Sequence, residues 1–320
     1  MTRINRLVAI VLAIFILSSI LFGQEQNNRL IIFHAGSLTV PFEKIIDGFK
    51  KENPNVEVIK EIAGSRACAR KISELHKECD IMASADYKVI DNLLIPTYAL
   101  WNIKFATNEM AIVYTEHSRK ADEINRDNWY DVMLGDDISI GRSDPNVDPC
   151  GYRAVLTMKL AESYYNQPGL ANKLIAKDNE YIRPKETDLI ALLEAGELDY
   201  IFLYRSVAEQ HGLKFLILPD EINLKRAELQ DEYKKVSVEI SGKNPGEKIV
   251  QHGDAMVYGF TIPKNSPNPE LAQKFVQYFL DKNKGLKILE ELGQPTIIPS
   301  YSETYKFIPD DLKQYATDKM

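Results

Sequence analysis

The chain is poor in cysteine, histidine and tryptophan: its 320 residues hold three, five and two of them. An odd cysteine count leaves at least one thiol unpaired within the chain, so a scaffold built on disulfides is excluded. Cys68 and Cys79 are free to pair in an oxidising compartment, but their spacing does not demand it. No Cys or His spacing matches a zinc site, and the histidines are scattered. The chain has no G-x-S-x-G, no Walker loop, no internal repeat and no low-complexity tract. Positive charge is short as well. Lys and Arg number 39 against 46 Asp and Glu, for a net charge of −7; without residues 1–24, which hold Arg3 and Arg6 and no acid, it is −9. So acidic a chain lacks the basic patches that hold nucleic acid or anionic membrane surface.

One long hydrophobic run is present, at the N-terminus. Arg3 and Arg6 precede Leu7 to Phe22, which is broken only by Ser18 and Ser19, and the polar Glu25-Gln26-Asn27-Asn28 follows. This is signal-peptide architecture, too short for a comfortable membrane span. Leu21-Phe22-Gly23 lacks a small residue at −3, so an uncleaved anchor is the alternative reading of residues 1–24. The first cysteine is Cys68, so no lipid-attachment cysteine lies near the segment. The expectation is an exported protein, periplasmic or at the cell surface.

The remaining length allows two lobes. Arg29 to His34 is a short apolar run, read as a buried strand, and Phe42, Ile45, Ile46 and Phe49 recur at helical spacing. Val56 to Ile62 alternates like a strand, a helix follows with Ser65 at its N-cap, and Asp80 to Ala83 begins another strand. Strand–helix–strand–helix–strand is the pattern of a parallel α/β sheet. Ala106 to Thr115 is expected as one strand leading out of the first lobe. Helix, turn and strand then run into Ser143, and a helix runs from Pro149 to about Asn166. Arg183 to Gly196 is expected as a helix, Glu197 to Tyr204 as a strand, Phe215 to Leu218 as another, and 225–248 as an edge strand with surface loops. Asp254 to Pro263 returns to the first lobe, and Pro269 to Leu292 is a long amphipathic region with a tail behind it. The expected architecture is α/β, with lobe one in 29–106 and 262–320, lobe two in 107–261, and a mostly parallel sheet in each. Ligands of such folds sit at the carboxyl ends of the strands, in the crevice between halves.

Ser143 to Arg153, SDPNVDPCGYR, organises the rest. Asp148 stands where an N-cap belongs, and Pro149 at the first helical position, where its missing N–H costs nothing. The N–H groups of Cys150 and Gly151 are then expected free at a helix N-terminus, a ready anion site. Yet Asp148 puts a carboxylate in the same place. Three more turns join a strand end to a helix start: Gly36-Ser37, Gly64-Ser65, and Pro184 to Thr187, which carries Glu186. Tyr204 ends its strand. Each alone reads as an ordinary cap or turn residue. Together they offer one cleft two hydroxyls, a phenol, several N–H groups and two carboxylates, Asp148 and Glu186.

Hydroxyls and helix N-termini suit an oxyanion without any basic residue. Two carboxylates do not, since like charges at 4 Å repel by about 4 kcal/mol at an effective dielectric of 20. They suit a centre that accepts further oxygen ligands, as a high-valent metal within an oxyanion does. A hard cation such as Ca²⁺ would accept the carboxylates but not the helix N-termini.

The stretches HAGSLTVPFEKI, AGSRACARKISEL, DIMASADY, TNEMAIVY, DPNVDPCGYRA, RPKETDLIALLEAGELDY and YGFTIPKNSPNPELAQKFV resemble the tungstate/molybdate-binding proteins of ABC transporters, extracellular solute receptors of the type II periplasmic-binding fold. The resemblance runs from Leu30 to the C-terminal region. It implies that Ser37 and Ser65 hold the oxyanion through hydroxyls and amides, with Gly36 in the same turn. It implies that the Cys150 amide beside Pro149 donates to the anion, and that Tyr204 is a donor. Asp148 and Glu186 match the carboxylates that complete six-coordination of tungsten or molybdenum in the tungstate branch; plainer bacterial molybdate binders lack them. The link between the DPCGYR helix and RPKETD is shorter than in many members. The resemblance further implies a monomer without a cofactor, whose partners are a membrane permease and its ATPase. Two other readings remain: a receptor of the same fold for another oxyanion or a ferric complex, and a hydrolase using Asp148 and Glu186 as an acid/base pair. No sugar-stacking aromatic cluster or nucleophile motif supports the latter.

Overall fold

The computed structural model describes residues 28–319, so the expected signal segment lies outside the described residues. Two five-stranded sheets dominate. The first takes β1 (Arg29–His34), β2 (Glu57–Ile62), β3 (Ile81–Ser84), β4 (Ile103–Thr107) and β12 (Val257–Thr261), in the order β2-β1-β3-β12-β4. The second takes β5 (Met110–Tyr114), β6 (Ile140–Ser143), β7 (Ile182–Arg183), β8 (Tyr200–Tyr204) and β9 (Lys214–Ile217), in the order β7-β6-β8-β5-β9. The plan repeats: three parallel strands, then one reversed strand (β12 or β5), then a fifth that pairs antiparallel with it. Four of five strands in each sheet therefore point the same way, and the two-lobed α/β architecture is as expected.

The apolar run of β1 is explained by burial on both faces. Leu30 and Ile32 join a core with Phe42, Phe49, Phe105 and Phe279, whereas Ile31 and Phe33 pack with Cys68, Ile72 and Val89 on the other side. The larger core continues through Trp129, Tyr200 and Phe202 of the second sheet. The helix Pro149–Tyr164 is buried almost all round at its N-terminal end, which puts that end between the lobes rather than at the surface.

Four expectations change. The segment 106–115 is two strands in different sheets, because Asn108 and Glu109 break it: the Asn108 side-chain oxygen accepts the Glu109 N–H at 3.0 Å. β12 lies in the first sheet, so the chain has re-entered lobe one by Val257, ahead of the boundary expected at 262. The helix expected from Arg183 begins only at Asp188. Pro184 holds the preceding residue extended, and Arg183 pairs with Ser143 as a strand. The segment after Leu292 is no loose tail: Ser300–Tyr301 pairs with Ala316–Thr317, and Ile308 and Leu312 are buried. In the 225–248 region, β10 (Ser237–Ser241) forms a separate hairpin with β11 (Lys248–His252), and this hairpin packs on the Pro149–Tyr164 helix. Cys68, Cys79 and Cys150 are buried free thiols.

Candidate functional site

Every turn singled out in the sequence lies at the carboxyl end of a strand, and the two sheets point these ends at one another. From lobe one come Gly36 and Ser37 after β1, Ser65 after β2, and Ala85 and Asp86 after β3. From lobe two come Asp148 to Cys150 after β6, Glu186 after β7 and Tyr204 closing β8. Ser37, Ser65, Asp148, Cys150, Glu186 and Tyr204 are each at most 1% exposed. The lobes are closed on one another. Val147 O accepts the N–H of Arg66 at 3.1 Å and of Ala67 at 3.2 Å across the gap. Gly64 makes this fit, since a Cβ there would stand 2.4 Å from Val147 O.

Asp148 is the N-cap expected, with Pro149 behind it, but it does more. Its Oδ1 accepts the Cys150 N–H at 3.2 Å, and its Oδ2 accepts the Glu186 N–H at 2.9 Å. One carboxylate thus caps one helix and fixes the turn that leads into the next. The expected free amides are in use: the Cys150 N–H is held by Asp148 Oδ1, and the Gly151 N–H by Asp148 O at 3.1 Å. Asp148 engages both, the first through its side chain and the second through its carbonyl. The Cys150 thiol lies against Phe202 O at 3.6 Å, and burial pushes its pKa well up, so it stays a protonated packing group.

Glu186 is different. It is fully buried, and among the described residues neither of its carboxylate oxygens has a well-formed hydrogen bond, although the Asp148 carboxyl and the Ser37 N–H stand near enough to act on it. It faces the opposite lobe: a Cβ on Gly36 would sit 3.0 Å from Glu186 Oε2. Burial, then the adjacent Asp148 charge, hold its carboxyl well above the usual range, and burial raises Asp148 too. A buried polar group left unpaired costs several kcal/mol unless something answers it. Among the described residues no group of three or more His, Cys, Asp or Glu is placed to hold a bare metal ion.

The hydroxyls share a polarity. Ser65 Oγ accepts the Ala85 N–H at 2.9 Å, so its hydrogen is left to give. This replaces its expected N-cap role, which Gly64 fills. Tyr204 OH accepts from Arg153 Nη1 at 3.0 Å, and Ser37 Oγ accepts from Tyr258 OH at 3.1 Å. Burial keeps the Tyr204 and Tyr258 phenols protonated. Ser37, Ser65 and Tyr204 are thereby set as donors, the arrangement an acceptor-only anion needs.

The sequence reading passed over Arg153, Tyr152, Asp86 and Tyr258. Arg153, on the lobe-two helix, donates to Ala85 O of lobe one at 2.8 Å and lies 3.5 Å from Asp86; Tyr152 OH donates to Asp86 Oδ2 at 2.5 Å. The available signal was a cation in a stretch otherwise destined for burial, which needs a buried partner. Arg66 and Arg70 also cross the gap. Arg66 Nε donates to Asn146 O at 3.0 Å, and Arg70 Nη2 to Ser241 Oγ at 2.9 Å and Gly242 O at 2.7 Å.

Residues 30–293 match the family model of bacterial extracellular solute-binding proteins. The chain is 48% identical to an uncharacterized solute-binding protein of Petrotoga mobilis, over 95% of each chain. It is 41% identical to the molybdate/tungstate-binding protein WtpA of Pyrococcus abyssi, over 97% of this chain and 98% of that one. Among solved structures, the periplasmic molybdate-binding protein of Azotobacter vinelandii shares the fold, with a TM-score of 0.61 at 16% identity, over 83% of this chain and 98% of that chain. Among the described residues no helix is long and apolar enough to cross a membrane.

Proposed function

We propose that this chain, which belongs to the family of bacterial extracellular solute-binding proteins, captures tungstate or molybdate between its lobes and hands it to a membrane permease driven by an ATPase. It acts as a monomer, without a cofactor and without turnover. The observation that carries this reading is Glu186, a buried carboxylate with no well-formed hydrogen bond among the described residues, set beside Asp148 and against the Gly36–Ser37 turn. Ser37, Ser65 and Tyr204 give their hydrogens to the oxo groups. Asp148 and Glu186 offer lone pairs to the metal centre of the anion, expanding its coordination. Sulfate and phosphate can take the same donors but have no such centre, so the two carboxyl groups offer them no compensating bond and Asp148 and Glu186 disfavour them.

Lobe closure joins the two halves of the site, since the serines come from lobe one and the carboxylates from lobe two; this is hinge closure around a ligand. Isothermal titration calorimetry of residues 25–320 with tungstate, molybdate and sulfate tests the reading. Tight binding of the first two and no heat from sulfate is expected. Heat from sulfate alone, or from none of the three, would leave Asp148 and Glu186 as helix caps only.

A further inference from the structure

Three side chains outside the expected ligand set, Ser206, Asn108 and Tyr258, form a continuous hydrogen-bonded line through the hinge that ends on Ser37. Asn108 occupies the crossing from β4 to β5. Its Oδ1 accepts the N–H of Glu109 at 3.0 Å and of Ser206 at 3.4 Å, which fixes which way its amide faces. Nδ2 therefore donates in two directions: to Ser206 Oγ at 2.7 Å, in lobe two, and to Tyr258 OH at 3.1 Å, in lobe one. Tyr258 OH, the more acidic of the two hydroxyls it joins, then donates to Ser37 Oγ at 3.1 Å, a residue 221 positions away in the chain. All four residues are at most 3% exposed, so no bulk water competes for these bonds. Tyr258 sits where the pairing of β12 with β4 slips by a residue, at Tyr258/Gly259, and such bulges re-aim a side chain.

We propose that Asn108 and Tyr258 are positioning residues that couple lobe closure to the donor orientation of Ser37. The inference rests on the binding function proposed above. With the lobes closed, Asn108 is pinned by Ser206 and can hold the Tyr258 phenol by its lone pair. The phenol hydrogen then occupies one lone pair of Ser37 Oγ, which turns the hydrogen of Ser37 away from Tyr258 and leaves it to be given to the anion. Rotation of lobe two about the crossing draws Ser206 away from the Asn108 amide. Tyr258 then loses its anchor, and Ser37 becomes free to act as donor or acceptor. The line thus makes the lobe-one half of the site complete only in the closed state, although Tyr258 and Asn108 themselves need not touch the ligand.

The test is a double-mutant cycle read by calorimetry and by stopped-flow dissociation of tungstate, on wild type, Tyr258→Phe, Ser206→Ala, Ser37→Ala and the two doubles that contain Ser37→Ala. Tyr258→Phe is expected to weaken binding about tenfold, mostly by faster dissociation, and Ser206→Ala about threefold, the range of a hydrogen bond acting on a charged partner. In the Ser37→Ala background both effects should fall below about twofold, because the residues act through Ser37. A merely structural role predicts instead that the losses add, and that they follow melting temperature. Additive losses, or wild-type affinity in Tyr258→Phe, overturn the coupling and leave the binding function standing. Failure of the wild type to bind tungstate or molybdate overturns both. Should Tyr258→Phe not fold, Ser206→Ala with its double closes the same cycle.

Discussion

Asp148 Oδ2 accepts the backbone N–H of Glu186 at 2.9 Å, so the first carboxylate of the site holds the second in place. They divide the labour. Asp148 spends both oxygens on backbone donors, while Glu186 spends neither in a well-formed hydrogen bond to any described residue.

Their replacements should therefore differ. Glu186→Gln is expected to weaken tungstate binding by about a hundredfold or more without lowering the melting temperature of the unliganded protein, because it removes a coordinating oxygen and relieves a buried carboxyl that stands beside Asp148. Asp148→Asn should weaken binding and also cost about 1 kcal/mol of stability, because the amide keeps one capping oxygen but turns an NH₂ group toward the Glu186 N–H that Oδ2 accepts. Ser37→Ala should cost less affinity than either carboxylate variant. Calorimetry paired with thermal melting separates the three, and unchanged affinity in both carboxylate variants would remove the coordination argument.

Arg153 is buried with Asp86 and joins the lobes through Ala85 O. Arg153→Met leaves the Asp86 charge uncompensated, and a loss of about 3 kcal/mol in stability is expected. Arg153→Lys keeps the charge but has one nitrogen where Arg153 sets Nη1 on Ala85 O and Tyr204 OH and Nη2 toward Asp86, so it should retain most of the stability while speeding ligand dissociation. Urea unfolding and stopped-flow kinetics distinguish these outcomes.

A methyl group on residue 64 would collide with Val147 O. In Gly64→Ala the collision disappears if the lobes stay apart, so the fold should survive and closure should not. The expected result is a near-normal melting temperature, a larger radius of gyration by small-angle scattering with tungstate present, and binding weakened by an order of magnitude. A compact, tightly binding Gly64→Ala protein would refute the tight closure at this point.

His34 stacks on Phe42 with ring centroids 4.8 Å apart, and burial, opposed by its bond to Ala35 O, lowers its pKa to about 4. The folded protein thus keeps His34 neutral over a range where the unfolded chain takes up a proton. Stability from this residue is intact above the ordinary value of 6.5 and is lost as pH falls from there toward about 4. That depression corresponds to roughly 3 kcal/mol. His34→Gln should flatten the difference in chemical-denaturation stability between pH 7 and pH 4.5 relative to wild type. An unchanged slope would show that His34 is not the group responsible.

Local chemistry made much of this legible in the residues alone. Apolar runs ending in Gly-Ser or Asp-Pro located the strand-to-helix turns. Asp148 before Pro149 announced its cap, and every turn so marked lies at a strand end facing the other lobe. Misreadings arose where a local pattern was overruled by distant partners. Ser65 looks like an N-cap, yet its hydroxyl is claimed by the Ala85 N–H of another strand. The run 106–115 reads as one strand, yet its middle two residues turn their side chains to the hinge.

The sequence by itself determined the α/β alternation, the positions of the strand-to-helix turns and the two carboxylates on them, because each depends on residues within one or two turns of backbone. Only the tertiary structure decided which strand completes which sheet, that Glu186 faces Gly36 without a well-formed hydrogen bond of its own among the described residues, and that Tyr258 reaches Ser37. Those facts exist only once two lobes, each built from separated stretches of chain, are folded and closed, and no local periodicity encodes a contact between residues 221 apart.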